Sequence, residues 1–123
     1  MTRLLSEHES YVQMLRAMRR LRSKRLISGP YWANGAVCAA GAAAVHQRQA
    51  ETLAALTREI GVFPITKSMM DWYGDAVRFA YNNRALESLV NQNEDFCHRE
   101  NGKKKERARY KHVVAWLEAK VTE

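Results

Sequence analysis

The chain has 123 residues, enough for one domain and too few for two self-sufficient cores. It is 46% apolar, with three Trp, five Tyr and three Phe, which excludes a disordered chain, and no run approaches the ~18 consecutive apolar residues of a membrane span. A net charge of +7 and a pI near 9.7 point to nucleic acid, an anionic membrane surface or an acidic protein as the class of partner.

In chain order, Ser6 to Glu9 has the Ser-x-x-Glu form of a capping box. Tyr11, Met14, Leu15, Met18 and Leu21 then recur at three- and four-residue spacing, the apolar stripe of a helix over about 7–26. Gly29-Pro30 breaks it, because proline lacks an amide and restricts the residue before it. Asn34-Gly35 is placed at the start of a second helix, 35–60, ending at Gly61. Its first half is almost wholly small, from Gly35 to Ala44, which permits close helix approach and predicts a central position. Its second half carries Leu53, Leu56 and Ile60 on one face.

After Pro64, Ser68 and Asp71 offer another cap. Met69, Trp72, Ala76, Phe79, Asn83, Leu86 and Val90 follow at intervals of three and four, the seam of a helix over about 68–91. Asn83 interrupts that seam, either fixing register or, with Asn82, marking a break in the helix. Residues 91–102 are polar and ambiguous, with room for a short helix around 94–99. The closing helix, 103–121, turns Tyr110, Val113, Val114, Leu117 and Val121 to the core. No period-two pattern persists. The prediction is a single all-α domain, a four-helix bundle with a possible fifth helix.

The charge is segregated. Residues 1–25 hold seven Lys/Arg and two acids, +5; residues 26–102 hold six and eight, −2; residues 103–123 hold seven and three, +4. Arg16, Arg19, Arg20, Arg22, Lys24 and Arg25 fall within ten residues without an acid, and Lys103, Lys104, Lys105, Arg107, Arg109 and Lys111 are opposed by Glu106 alone. On a helical wheel Arg16, Arg19, Arg20 and Lys24 lie opposite the apolar stripe. Cations this dense repel one another unless a polyanion neutralises them; the competing reading is a solvated basic face. Tyr31 and Trp32, beside the first cluster, are candidates for stacking on unpaired bases, whereas Tyr110 begins an apolar stripe and is expected in the core.

Other constellations fall short of a site. Cys97 and His98 are adjacent, and Cys38 with His46 does not complete the paired spacing of structural zinc. Asp71 and Asp75 share a helical face but suit a helix amino terminus better than acid–base chemistry. No phosphate loop ends in Gly-Lys-Ser/Thr, and neither Cys97 nor any serine stands in a nucleophile motif. His8, His46, His98 and His112 are scattered. The expectation is a non-enzyme with no metal and no cofactor. Glu7 appears before any hydrophobic region builds, unlike a secretory signal. Two cysteines are too few for a disulfide scaffold, so a cytoplasmic location is expected.

Two patterns resemble the small helical subunit of type III CRISPR effector complexes. One is Pro30 followed by Asn34-Gly35 and a helix of small and aliphatic residues; the other is Tyr110-x-x-Val113-Val114-x-Trp116-Leu117. Together they cover about a quarter of the chain. The chain departs from that family at Ala36-Val37, where a leucine would follow the glycine, and lacks its later Gln and Leu-Ala-Phe elements. The resemblance implies a basic, non-catalytic bundle that stacks along an effector complex and contacts RNA or a displaced DNA strand.

The expected function is therefore nucleic-acid binding, with RNA or single-stranded DNA favoured over duplex, in a small subunit of a nucleoprotein complex. Phosphate contacts are assigned to Arg16, Arg19, Arg20, Lys24, Arg25, Lys103, Lys104, Lys105, Arg107 and Lys111. This requires the two clusters to share one side of the fold. The alternative is a protein-interaction module, such as a phage- or plasmid-borne inhibitor or adaptor docking on an acidic protein. Self-association and contact with other subunits suit either reading; a membrane suits neither.

Overall fold

The structure, a computed structural model, describes residues 3–21, 24–28, 32–33, 36–47, 79–96 and 102–123. They form four helices and four two-residue strands: β1 (Arg3–Leu4), α1 (Glu7–Arg19), β2 (Trp32–Ala33), β3 (Ala36–Val37), α2 (Ala39–Gln47), β4 (Phe79–Ala80), α3 (Asn83–Asp95) and α4 (Lys103–Val121). The fold is all-α, a small bundle in which α1 packs against both α2 and α4, and α3 closes the ring between them.

α1 starts where the sequence places it. Ser6 Oγ accepts the Glu9 amide at 3.1 Å, and Glu9 answers the hydroxyl and Arg3 rather than the Ser6 amide, so half of the capping box forms. Tyr11, Met14, Leu15, Ala17 and Met18 are buried and Leu21 is partly so. The helix ends earlier than expected, at Arg19 with Arg20 as its cap, instead of running to 26. The cause lies downstream. Leu26 and Ile27 are both buried, and their amides donate to Glu106 O and Val37 O at 3.0 Å each. Long-range partners hold this stretch extended where a helix would have used local ones.

The second helix also begins late. Trp32 pairs with Val37 and Ala33 with Ala36 in an antiparallel ladder, so the chain is not helical until Ala39. The sequence between those strands is Asn-Gly, the dipeptide that two-residue hairpins favour; it lies outside the described residues, as do 48–60 of the expected helix. Ala39, Ala40, Ala42 and Ala43 are buried, in keeping with the central position predicted from their size. Two remote groups meet this helix end and flank. Asn93 Oδ1 accepts the Ala39 amide at 3.0 Å, and Tyr81 donates its hydroxyl to Ala43 O at 2.9 Å.

The expected helix over 68–91 is corrected. Phe79 and Ala80 form β4, parallel to β1 in the register Arg3↔Phe79 and Leu4↔Ala80, and α3 runs from Asn83 to Asp95. Asn82 is its cap, its Oδ1 accepting the Ala85 amide at 3.1 Å, so the asparagine pair marks a break. Asn83 is exposed and fixes no register. The buried face of α3 is Ala85, Leu86, Leu89 and Asn93; residues 69–78 lie outside the described set. α4 matches the predicted 103–121, with Val113 and Leu117 fully buried and Tyr110, Val114 and Val121 packed at the margin. Tyr11 and Trp116 meet edge to face at 5.4 Å across α1 and α4. No helix among the described residues is long and apolar enough to cross a membrane.

Candidate nucleic-acid interface

The basic residues of α1 lie at its carboxyl end, where the helix dipole favours cations. Arg16, Arg19 and Arg20 are all exposed, with Arg16 flanked by the other two at i+3 and i+4. Arg19 reaches toward α4, its Nη2 3.0 Å from Glu118 Oε2 in a half-exposed pair. Arg20 turns toward α2, its Nη1 3.2 Å from His46 Nδ1, while His46 Nε2 lies 2.9 Å from Gln13 Oε1. Those partners fit a ring that accepts at Nδ1 and donates from Nε2.

Beyond α1 the cluster leaves the helix, so the wheel that grouped Lys24 with Arg16 does not apply. Lys24 folds back, donating to Arg19 O at 2.6 Å with its ammonium 5.8 Å from the Tyr110 ring centre. Tyr110 donates to Met18 O, and partial burial raises its phenol pKa, the Arg19 charge opposing and the Glu118 charge adding to that shift. Arg25 faces Glu106, Nε to Oε1 at 3.8 Å.

On α4, Lys103, Lys104, Lys105, Arg107 and Lys111 are exposed. At about 100° per residue, Lys104, Arg107 and Lys111 form one stripe with Lys103 beside it, and Lys105 lies round the helix from them. Three lysines thus occupy a first turn whose dipole is itself positive. Gly102, at φ 116°, caps the helix without a side chain; its amide donates to Glu106 Oε2 at 2.7 Å. Among the described residues, no carboxylate comes within ion-pair distance of Arg16, Lys103, Lys104, Arg107 or Lys111.

Arg109 belongs to the same run in sequence and to the core in space. It is fully buried, donating from Nη1 to Leu26 O at 2.8 Å and from Nε to Phe96 O at 3.3 Å. Together with the Leu26 amide on Glu106 O, it fastens residues 24–28 along α4. Arg19, Lys24 and Arg25 consequently sit against Glu118, Tyr110 and Glu106 of α4. The two basic clusters, 78 residues apart between Arg25 and Lys103, are neighbours across the α1–α4 junction.

Sequence reasoning missed Glu106, Asn93 and Arg109 as the groups that make this arrangement. Asn93 Nδ2 donates to Ile27 O at 3.1 Å and to Glu94, and Ser28 donates to Glu94 at 2.6 Å, so α3 grips the same segment from the other side. The only sequence signal was Glu106, a single acid among six cations. Tyr31, Cys97, His98, Asp71 and Asp75 lie outside the described residues, as does the ring of Trp32. Among the described residues no three His, Cys, Asp or Glu side chains gather as a metal site would require. Cys38 is buried against α2, and burial pushes its thiol up to about 11. Comparison with protein-family models, curated proteins and solved structures yields no match.

Proposed function

We propose that this chain is a non-catalytic nucleic-acid-binding bundle, preferring RNA or single-stranded DNA, that serves as a small subunit of a nucleoprotein complex. Phosphates are contacted by Arg16, Arg19, Arg20, Lys24 and Arg25 from the first cluster and by Lys103, Lys104, Lys105, Arg107 and Lys111 from the second. The observation that carries this reading is the junction of the clusters: Lys24 and Arg25 of the first lie against Tyr110 and Glu106 of α4, the helix that bears the second. Among the described residues five exposed cations, Arg16, Lys103, Lys104, Arg107 and Lys111, have no carboxylate within ion-pair distance, which supports the reading. Two of them stand in the first turn of a helix, an end that disfavours cations. A polyanion laid across that end would turn a local repulsion into attraction. The reading agrees with the role implied by the resemblance to the type III CRISPR small subunit.

Fluorescence anisotropy with labelled single-stranded RNA, single-stranded DNA and duplex DNA tests it. If about six of the ten cations engage a single strand, log K falls with log salt at a slope near −4, a loss of roughly 300-fold between 50 and 200 mM. Arg107→Glu should weaken binding clearly, whereas Arg84→Glu, an equal charge change on α3 outside both clusters, should not. Absence of binding to all three probes at the lower salt would transfer the assignment to an acidic protein partner.

A further inference from the structure

A buried carboxylate in the middle of a basic face ordinarily weakens binding of a polyanion. Glu106 is placed differently from Glu118, the other acid of this face. Glu118 is half exposed, and among the described residues its carboxylate meets the half-exposed guanidinium of Arg19. Glu106 is buried and used three times. Its Oε2 accepts the Gly102 amide at 2.7 Å, its carbonyl accepts the Leu26 amide at 3.0 Å, and its Oε1 faces Arg25 Nε at 3.8 Å. That Nε is buried and has no hydrogen-bond partner, while 31% of the Arg25 side chain stays exposed. Burying a guanidinium nitrogen without a hydrogen bond costs free energy, which a nearby opposite charge offsets. Here the compensating charge is Glu106.

We infer that Glu106 is a positioning residue of the nucleic-acid face: its carboxylate holds Arg25 against the amino-terminal turn of α4, so that the outer nitrogens of the guanidinium and the lysines of that turn engage one stretch of phosphates. This rests on the binding reading above. It carries a sign that simple charge counting does not. Removing the Glu106 charge raises the net charge by one, yet it weakens binding, because Arg25 loses its anchor. Removing the Glu118 charge raises the net charge equally and leaves binding unchanged or tighter, because Arg19 is freed.

The test compares Glu106→Gln, Glu118→Gln, Arg25→Gln, Arg25→Lys and the double variant Arg25→Gln/Glu106→Gln by anisotropy on single-stranded RNA across a salt series. Glutamine retains an acceptor for the Gly102 amide, and a circular-dichroism melt establishes that each variant is folded. The expected result is roughly threefold or greater weakening in Glu106→Gln, with the salt slope smaller by about one contact. The double variant should bind like Arg25→Gln alone. Tightening by Glu106→Gln, or independent multiplying effects of the two changes, would overturn the inference while the binding reading stands. Should Glu106→Gln not fold, Arg25→Lys decides. It keeps the charge but lacks Nε, so wild-type affinity would overturn the inference and weaker binding would uphold it. A wild-type protein that binds no probe refutes the binding reading itself and this inference with it.

Discussion

Arg107 and Arg109 stand two residues apart in one basic run, and their replacement by methionine should have opposite consequences. Arg109 is fully buried and donates to Leu26 O and Phe96 O. Methionine fills much of the volume but donates nothing, so the buried Leu26 carbonyl and the part-buried Phe96 carbonyl both lose a charged donor. Each such loss costs about 1–3 kcal/mol, so the two together cost about 2–6 kcal/mol. In a domain with a total stability of about 5–15 kcal/mol that is a large share. At about 3–5 °C per kcal/mol for a chain of this size, the melting temperature should fall by roughly 6–30 °C. Arg107→Met removes an exposed cation that has no ion-pair partner among the described residues and should stay within about 0.5 kcal/mol of wild type. Urea titrations followed by circular dichroism measure both. If Arg109→Met lost less than about 1 kcal/mol, the claim that Arg109 fastens residues 24–28 to α4 would be wrong.

Three further outcomes follow from the same contacts. Asn93→Leu leaves the Ala39 amide and Ile27 carbonyl without partners and should cost about 2–4 kcal/mol in urea unfolding; a neutral result would show that neither group depends on α3. Asn82→Ala removes the α3 cap and should cost about 1 kcal/mol, with Asn82→Gly milder, read from the same melts. Cys38 should resist a thiol reagent in the native protein and react on unfolding. Its folded pKa, about 11, exceeds the ordinary 9.0, so the unfolded chain releases its proton first. Its contribution is therefore fully present below pH 9 and lost as pH rises to 11, about 3 kcal/mol in total. Comparing wild type with Cys38→Ala isolates that loss from other groups, and parallel pH curves would refute it.

Local rules recovered what local chemistry decides. The Ser6 cap, the Tyr11-to-Met18 stripe and the extent of α4 depend on spacing and on neighbours within four residues, all of which a sequence displays. The apolar period was misleading at two places, where distant partners override it. Leu21 and Leu26 continue a helical rhythm, but Leu26 and Ile27 give their amides to Glu106 and Val37. Phe79 keeps phase with Leu86, but its backbone pairs with Arg3 and the Asn82 cap starts a new helix. The candidate face was legible as two dense runs of cations, because charge density survives without coordinates. Which cation serves the core was not, since Arg107 and Arg109 differ only in helical phase. The proximity of the runs was hidden too, because it depends on carbonyls and amides that every residue carries alike.

The packing of α1 on α4 has a bearing on how the protein is made. Met18 and Tyr110, in contact across that junction, are 92 residues apart. Closing a loop of that length adds little to the equilibrium cost, which grows only with the logarithm of length, but non-local contacts slow folding. At synthesis rates of about 5–20 residues per second, α1 waits roughly 5–18 seconds for its counterpart to be translated. Throughout that interval Tyr11, Met14, Leu15 and Met18 form an apolar stripe without α4 to cover it, the kind of surface that chaperones hold and from which aggregation starts.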